Sequence, residues 1–303
     1  MKQKMMKPLV SIQILNWNRA EETQIAIQSA LNQSYKNIEI IVIDNGSTDE
    51  SVPLTKKNFP DITLIELKKN YGCPGGRNLG IPYCNGDYIF FLDNDGVLHQ
   101  DAVLNSMSTI ESDSKIGIVA GVVYEFNDKS EIDSKIEIHN PNIFETNLFS
   151  GGISLHRKSI YNLVGFYPEH FMYGGEESFL SIKLITTNYR IVKDESVVLW
   201  HKGSDEARDK SRETLSGYFN KLYIAFTLYP IKELSAFLIY FLFKYPYYAK
   251  KEGIWNQFKT KFKKDFFNTI KIGLRDRNPI TPKDFNRYKK KGINEQRLRI
   301  IQQ

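Results

Sequence analysis

The stretch YIFFLDNDGV, residues 88–97, passes from an uninterrupted apolar run into two carboxylates, Asp93 and Asp95. Such a run is typical of a strand that is buried on both faces of a parallel sheet, so residues 88–93 are predicted to form a central strand. In open α/β sheets, ligands bind just beyond the carboxyl ends of the strands. The two carboxylates therefore lie where such a sheet places its functional residues.

Apolar runs alternate with helical patterns along the sequence before this strand. Strands are predicted at residues 9–15, 38–44 and 62–67. Helices are predicted at residues 20–33, in a stretch that ends near residue 58, and after a glycine-rich loop at residues 70–80. This alternation indicates an α/β fold, with a parallel sheet that has helices on both faces. Further along we predict helices at residues 98–112 and 174–188, and strands at residues 116–126, 134–140 and 196–201.

Polar side chains cluster at the predicted carboxyl ends of these strands. They are Asn16, Trp17, Asn18 and Arg19 after the first strand, Asp44 and Asn45 after the second, Arg77 in the glycine-rich segment, and Asp93 and Asp95 after the fourth. Each of them alone is equally well explained as a turn or helix-capping residue. Because carboxyl ends of parallel strands meet at one edge of a sheet, the whole set favours a binding site.

The D-x-D pair of Asp93 and Asp95 offers hard oxygen ligands at this edge. Proteins commonly hold Mg²⁺ or Mn²⁺ by one or two carboxylates together with substrate phosphates, so two aspartates suffice. The pattern itself is frequent by chance. Its position directly after a buried strand is what indicates a metal site.

The composition is that of an ordinary globular chain, with 41% apolar and 25% charged residues among 303. The two cysteines, Cys73 and Cys84, indicate neither a disulfide framework nor a zinc site and favour a reducing compartment. No signal-peptide cleavage site follows the charged N-terminus, so we expect a cytoplasmic protein. The charge is uneven, since residues 241–303 hold 17 Lys and Arg against five Asp and Glu, whereas residues 1–240 are acidic overall.

The C-terminal part combines this basic charge with aromatic residues. Its longest apolar run, residues 236–243, is too short for a transmembrane helix, which needs roughly 20 apolar residues. The lysines that alternate with Tyr, Trp and Phe over residues 244–267 are typical of an interfacial helix on anionic lipid. Packing against the rest of the protein explains part of the apolar content. RNA binding is an alternative reason for the charge, but no nucleic-acid-binding motif accompanies it, so we predict no nucleic acid partner.

Six ordered segments carry a resemblance to a known family. VSIQILNWNR, IIVIDNGSTD, NYGCPGGRNLGI, YIFFLDNDG, FMYGGEESFLSIKL and VLWHKGS resemble the motif set of the family 2 glycosyltransferases over residues 8–205, most closely that of the rhamnosyltransferase-like members. The resemblance implies the GT-A fold, a mixed sheet flanked by helices, and a nucleotide-diphosphate sugar donor. We accordingly expect a catalytic domain at residues 1–215, followed at residues 216–303 by a helical, basic and aromatic region whose composition suits contact with a membrane.

The resemblance also implies roles for the residues at the sheet edge. Asp44 is expected to bind the base edge of a UDP- or dTDP-sugar, with the Trp17 ring near the base and with Asn16, Asn18, Arg19 and Asn45 around the nucleotide. Arg77 is expected to meet the nucleotide or its phosphates. Asp95 corresponds to the main ligand of Mn²⁺ or Mg²⁺, Asp93 to a carboxylate near the ribose and the metal, and His201 to a histidine near the metal or diphosphate. Gly151 and Gly152 correspond to a segment beside the donor sugar, although a tight strand bend explains them nearly as well.

Glu176 and Glu177 lie where the family usually carries Glu-Asp. An inverting transfer needs a carboxylate that accepts the proton of the acceptor hydroxyl. Glu177 aligns with that base, and Glu176 is expected to orient the acceptor, a glycan or a lipid-linked sugar. Acidic residues in the first turn of a helix also simply favour the helix dipole.

Three other classes of protein compete with this interpretation. A sugar-nucleotide pyrophosphorylase and a dinucleotide dehydrogenase would each show a glycine-rich loop after the first strand, where this chain has NWNR instead. The third is a non-catalytic protein that binds a nucleotide sugar or a glycan on the same scaffold. The presence of Asp93, Asp95, Glu177 and His201 together argues for an enzyme, and the basic, aromatic C-terminal part leads us to expect that it acts at the cytoplasmic face of a membrane.

Overall fold

The structure of the chain, a computed structural model, describes residues 7–126, 138, 141–202 and 210–290. Its strands are β1 (Val10–Asn16), β2 (Ile38–Asp44), β3 (Thr63–Glu66), β4 (Tyr88–Asp93), β5 (Gly96–Leu98), β6 (Ile116–Phe126), β7 (Ile143–Thr146), β8 (Ile153–Arg157) and β9 (Arg190–Lys202). Its α-helices are α1 (Ala20–Leu31), α2 (Ser51–Asn58), α3 (Gly72–Gly80), α4 (Ala102–Ser112), α5 (Ile160–Val164), α6 (Glu176–Leu184), α7 (Lys210–Leu228), α8 (Ile231–Lys251) and α9 (Trp255–Arg275). Residues 282–290 form a last helical stretch. The strand predicted at residues 134–140 lies outside the described residues, apart from residue 138.

The strands form one mixed sheet in the order β3-β2-β1-β4-β8-β6-β9-β5, and β7 pairs with β9. Strands β1 to β4 are parallel to one another, as the alternating sequence pattern predicts. Strand β8 is antiparallel to both β4 and β6, which makes the sheet as a whole mixed. The α/β fold with a mixed sheet is therefore confirmed, and the carboxyl ends of β1, β2 and β4 meet at one edge.

Helices cover both faces of the sheet. On one face, Ile27 of α1 and Val103 of α4 belong to the same buried core as the alternate residues of β1 and β4. On the other face, Tyr161 of α5 and Leu180 of α6 pack against Phe91 of β4. Because β4 is buried from both sides, its apolar residues fix the backbone that ends at Asp93.

Helix α3 contains the glycines that the sequence pattern places in a loop before the helix. A Cβ atom on Gly76 would lie 2.5 Å from Leu15 Cδ1, and one on Gly80 would lie 2.5 Å from Gln13 Nε2. Both glycines lie in the helix and face β1 at close range, so a larger side chain at either position would have to displace Leu15 or Gln13. This close packing sets how far Arg77, on the same helix, stands from the sheet.

The helix predicted at residues 98–112 begins later, at Ala102, because residues 96–98 form β5 instead. Strand β5 pairs antiparallel with β9, and Gly96 lies opposite His201 in this register. Strand β9 extends over Arg190–Lys202 rather than only residues 196–201, because β6 and β7 pair with its first residues. A strand of three residues carries too little pattern to be recognised in a sequence.

The C-terminal helices α7, α8 and α9 pack around a core of their own, which includes Leu222, Phe241 and Phe258. A further core joins this bundle to the rest of the protein through Phe179 of α6 and Tyr223 of α7. The predicted domain boundary after residue 215 falls within α7, and that division stays a prediction. None of the helices in the described ranges combines the length and the apolarity that a membrane crossing requires.

Candidate functional site

The carboxyl ends of β1 and β2 are joined by a hydrogen-bonded pair, Asn16 and Asp44, which lie opposite each other in the register of these strands. Both residues are buried. Asn16 Nδ2 donates to Asp44 Oδ1 at 3.0 Å, and Asn16 Oδ1 accepts from Thr23 Oγ1 and Asn94 Nδ2. The backbone N–H of Ser47 donates to Asp44 Oδ2 at 2.9 Å. These contacts fix the orientation of the Asp44 carboxylate at the sheet edge.

The turn after β1 presents an exposed aromatic ring beside this pair. Asn18 has φ 53°, in the left-handed region, and its Oδ1 accepts the N–H of Thr48 at 2.8 Å. Its own N–H donates to Ser47 Oγ at 2.9 Å. The turn is thereby tied to the segment after β2, and the Trp17 side chain, 46% exposed, stands at its tip. An indole in this position offers a face on which a nucleotide base can stack.

Asn45 holds the segment that leads into α3. Its Oδ1 accepts the N–H of Tyr71 at 2.9 Å, and its Nδ2 donates to the carbonyl of Gly72 at 3.0 Å and to Asn70 Oδ1 at 3.2 Å. The side chain is buried. The structure therefore places Asn45 as a support for the loop beside Arg77.

Arg77 and Asp93 form a close ion pair between α3 and the end of β4. Arg77 Nη2 donates to Asp93 Oδ1 at 2.7 Å, and the arginine side chain is 4% exposed. A Cβ on Gly152 would lie 2.0 Å from Asp93 Oδ2, and one on Gly151 would lie 2.1 Å from Arg77 Nη1. Both glycines are thus required for the close approach of this turn to the ion pair, and the turn comes directly before β8.

Asp95 belongs to a second, separate ionic group. Its Oδ2 accepts from Arg19 Nη1 at 2.5 Å and lies 3.1 Å from His201 Nε2. The pairing of β5 with β9 brings His201 here, because Gly96 and His201 are register partners. The two aspartates of the D-x-D pattern therefore have different partners, Arg77 for Asp93 and the Arg19–His201 pair for Asp95.

These residues fit a divalent cation only in part. In the part of the chain that the structure describes, no group of three or more His, Cys, Asp and Glu side chains could hold a metal ion. Asp95 and His201 together offer one carboxylate and one imidazole nitrogen. Because Mg²⁺ keeps several ligands from water and substrate phosphates, this pair fits an ion that binds together with a diphosphate rather than in a cage of protein ligands.

The two glutamates begin α6, after a turn in which Gly174 and Gly175 have φ 78° and 93°. Glu177 is half-buried, and its Oε1 accepts the N–H of Gly151 at 3.3 Å. Glu176 is 3% exposed, and its Oε2 has no hydrogen-bond partner among the described residues. Glu177 is thus the more accessible carboxylate of the pair.

Burial raises the pKa of both carboxyl groups. The pKa of Glu176 is raised to about 7, first by burial and then by the negative charge of Glu177, while Arg77 opposes the shift. Burial also raises the pKa of Glu177, again against the effect of Arg77. A carboxylate with a raised pKa is a stronger base, so the pair is suited to accept a proton near neutral pH.

Sequence reasoning missed several residues that shape the site. Thr23 and Asn94 bind Asn16; Thr23 belongs to no recognisable motif, and Asn94 lies between the two aspartates without a role assigned to it. Asn220 of α7 donates to backbone carbonyls just before the glutamate pair. His156 is buried beside Phe91 and Tyr161, and burial lowers its pKa to about 3, so its imidazole is neutral. Only the turn that contains Asn94, between the two aspartates, offered a clue.

Comparison with known proteins identifies the family. The model of glycosyl transferase family 2 matches residues 11–179, which is more than half of the chain. An Escherichia coli UDP-Glc:α-D-GlcNAc-diphosphoundecaprenol β-1,3-glucosyltransferase is 37% identical over 107 residues, 35% of this chain and 42% of that protein. The poly-β-1,6-N-acetyl-D-glucosamine synthase of Staphylococcus aureus is 28% identical over 198 residues, 61% of this chain and 47% of that protein. The chain thus spans less than half of the length of these relatives.

Solved structures agree on the fold. The mannosyltransferase from Pyrobaculum calidifontis in complex with GDP-Man and Mn²⁺ superposes with a TM-score of 0.58 at 17% identity, over 73% of this chain and 64% of that one. A TarS fragment from S. aureus gives a TM-score of 0.54 at 16% identity, over 71% and 64%. The GT-A fold that the sequence resemblance implies is therefore confirmed.

Proposed function

Because the chain belongs to glycosyl transferase family 2, we propose that it transfers a sugar from a nucleoside-diphosphate donor to a hydroxyl of a glycan or lipid-linked acceptor, with inversion at the anomeric carbon. One contact carries this proposal, the hydrogen bond from the Gly151 N–H to Glu177 Oε1. Gly151 also lies directly against Arg77, which is paired with Asp93. A basic carboxylate is thereby joined to the donor side of the site through one glycine.

Each group at the edge has a chemical task in this reaction. Asp44 is oriented to accept a hydrogen bond from the imide N–H of a uracil or thymine base, and Trp17 can stack on that base. Arg77 is proposed to meet the nucleotide or its phosphates, because its fork of N–H donors suits phosphate oxygens. Asn16, Asn18 and Asn45 hold these elements in place.

Glu177 is proposed as the base of the transfer. It accepts the proton of the acceptor hydroxyl while that oxygen attacks the anomeric carbon from the face opposite the diphosphate. The carbon–oxygen bond to the diphosphate breaks, the nucleoside diphosphate leaves with the electron pair, and the configuration inverts. Glu176 is proposed to orient the acceptor from beneath, because it is the more deeply buried of the two carboxyl groups.

Asp95 and His201, with Asp93 nearby, are proposed to hold Mn²⁺ or Mg²⁺ together with the donor diphosphate. When bound, such an ion supplies positive charge against the departing diphosphate. Arg19, which bonds to Asp95 in the structure, contributes positive charge at the same point. The Pyrobaculum mannosyltransferase, which shares the fold, was solved with Mn²⁺, and this supports a divalent ion in the site.

We further propose that the reaction takes place at the cytoplasmic face of a membrane, with residues 216–303 in peripheral contact with anionic lipid. The E. coli relative acts on a diphosphoundecaprenol-linked sugar, which supports a lipid-linked acceptor. Basic and aromatic residues in the C-terminal helices support the membrane contact, because this composition suits anionic interfaces.

Two variants test the enzyme assignment. Asp95→Ala should lose the Mn²⁺-dependent thermal stabilisation that a UDP- or dTDP-sugar gives to the wild type, since a ligand that binds only the native state raises its stability. Glu177→Gln should retain donor binding and lose transfer, whereas the matched control Glu169→Gln, at an exposed position, should keep both. Donor binding by Asp95→Ala that still requires metal would show that this carboxylate is not the ligand. Full transfer by Glu177→Gln would remove it as the base.

A further inference from the structure

Helix α8 exposes an apolar stripe on the side that faces away from its own core. Leu234, Phe241, Tyr245 and Ala249 are buried against α7 and α9. On the opposite side, Ile239, Phe243 and Tyr247 recur every four residues and are 61%, 75% and 57% exposed. A surface helix ordinarily turns polar residues to water, so an apolar stripe on the outer side of α8 indicates a contact surface.

The surroundings of this stripe are basic. Lys232 and Lys250 lie seven residues before Ile239 and seven after Phe243, which places them on the same side of the helix at its two ends. Both are exposed. Helix α8 carries four lysines and one glutamate, and α9, which shares its core, carries six basic residues and one aspartate. An apolar stripe with lysines at both ends is the composition of a helix that lies in a membrane interface.

We propose that the stripe formed by Ile239, Phe243 and Tyr247 lies in the headgroup region of an anionic bilayer, with α8 parallel to the membrane plane. Phe243, at the centre, reaches deepest, and Lys232 and Lys250 meet lipid phosphates. A second copy of the chain is a poorer occupant, because two such faces would bring basic helices together. This inference deepens the proposed membrane contact without depending on the transfer reaction.

The experiment is flotation of the full chain with vesicles of phosphatidylcholine alone or of phosphatidylcholine and phosphatidylglycerol in equal parts. Wild type should float with the anionic vesicles. Phe243→Ser should bind them about tenfold or more weakly, because the variant lacks the apolar ring that Phe243 would bury in the bilayer. The matched control is Leu163→Ser, since Leu163 is 63% exposed on α5. Neither change should alter transfer to a soluble acceptor.

Equal binding of wild type and Phe243→Ser to the anionic vesicles would overturn the proposal. A wild type that does not bind anionic vesicles would overturn it as well. A wild-type dimer that Phe243→Ser dissociates, without vesicle binding, would assign the stripe to a second copy instead. If neither the wild type nor the variants transfer a sugar but flotation follows the expected pattern, the result would count against the proposed function and not against this surface.

A separate observation concerns the turn that precedes the glutamate pair. Asn220 of α7 is 7% exposed, and its Nδ2 donates to the carbonyl oxygens of Gly174 at 2.6 Å and Tyr173 at 3.1 Å. On the other side of the turn, the N–H of Cys73 donates to the carbonyl of Met172 at 2.9 Å. Residues 172–174 are therefore held between the start of α3 and a helix of the C-terminal bundle.

We infer that Asn220 is a positioning residue for Glu176 and Glu177, an inference that rests on the proposed function. Gly174 and Gly175 both have positive φ. The turn needs support because glycine adopts many other backbone conformations about as readily as this one. The amide of Asn220 fixes the carbonyls of Tyr173 and Gly174, just before α6 begins. It thereby sets where the first turn of α6 places the two carboxyl groups.

The test compares Asn220→Leu with Asn105→Leu. Asn105 is a matched control because it also donates from a helix to a backbone carbonyl, that of Ser196, away from the site. Asn220→Leu should lower kcat about tenfold or more, since small displacements of a catalytic group are costly, while the Kd of the donor changes by less than about twofold. It should also move the acidic limb of the pH–rate profile to lower pH, because a loosened turn admits water to the glutamates.

A second readout does not need activity. Asn220→Leu should reduce the part of the unfolding free energy that depends on pH between about 4 and 8, whereas Asn105→Leu should leave it unchanged. If both variants show the same kcat and the same pH profile, Asn220 has only a structural role. If the wild type is inactive but the two variants differ in pH-dependent stability as expected, the result would instead count against the proposed function.

Discussion

Replacing Glu176 by glutamine should change the unfolding free energy by an amount that depends on pH. As the pH rises, the difference between the variant and the wild type should shift in favour of the variant. The folded protein raises the pKa of this carboxyl from 4.5 to about 7 through burial and the charge of Glu177. Between these values the folded state holds a proton that the unfolded state has released. Stability from this group is therefore fully present below pH 4.5 and is lost as the pH rises through about 7.

The size of the effect follows from the shift. Each pKa unit corresponds to about 1.4 kcal/mol, so ionisation of Glu176 lowers the unfolding free energy by about 3 kcal/mol between about pH 4 and pH 8. The glutamine side chain that replaces Glu176 in the variant cannot ionise and lacks this loss. Its amide brings donors that the buried position does not satisfy, at a cost of about 1–3 kcal/mol, but that cost is the same at every pH.

Urea unfolding, followed by tryptophan fluorescence at several pH values, measures the difference directly. The gap between Glu176→Gln and wild type should move in favour of the variant by about 3 kcal/mol from about pH 4 to pH 8. Glu169→Gln, at an exposed site, should show a gap that does not change with pH. A constant gap for Glu176→Gln would refute the raised pKa of Glu176 and the inference that the pair is suited to accept a proton near neutral pH.

Gly152→Ala should displace Asp93, because the new Cβ would lie 2.0 Å from its Oδ2, and should weaken donor binding in calorimetry. Gly217→Ala, which meets open space, is its control, and equal donor affinity in the two variants would contradict the required close approach. Trp17→Ala should weaken UDP binding about tenfold through loss of stacking while urea unfolding stays unchanged, and unchanged affinity would remove the ring from the nucleotide site. Asn45→Ala should speed proteolysis of the 70–72 loop, since three hydrogen bonds to it are lost, and a wild-type cleavage rate would show that the loop holds itself.

Much of the fold is predictable from local pattern. Strands β1, β2 and β4 are buried on both faces, so their apolar runs identify them almost to the residue, and the edge at which Asn16, Asp44 and Asp93 meet follows from parallel pairing. The separation of Asp95 from Asp93 was not predictable. It depends on β5, three residues long, whose pairing with β9 brings in His201 from more than a hundred residues away. The role of Asn220 was not predictable for the same reason, because its hydrogen bond to Gly174 spans 46 residues and leaves no periodic signal in the sequence.

The tight packing of α3 on β1 has a consequence for mutational tolerance. Gly76 and Gly80 would each place a Cβ 2.5 Å from a neighbouring side chain, so a saturation screen for activity should reject substitutions there as firmly as at Arg77. Neither glycine needs to touch a ligand for this to happen. Intolerance along this helix therefore reports how closely α3 packs on the side chains of the sheet, and only a binding measurement separates it from contact with the donor.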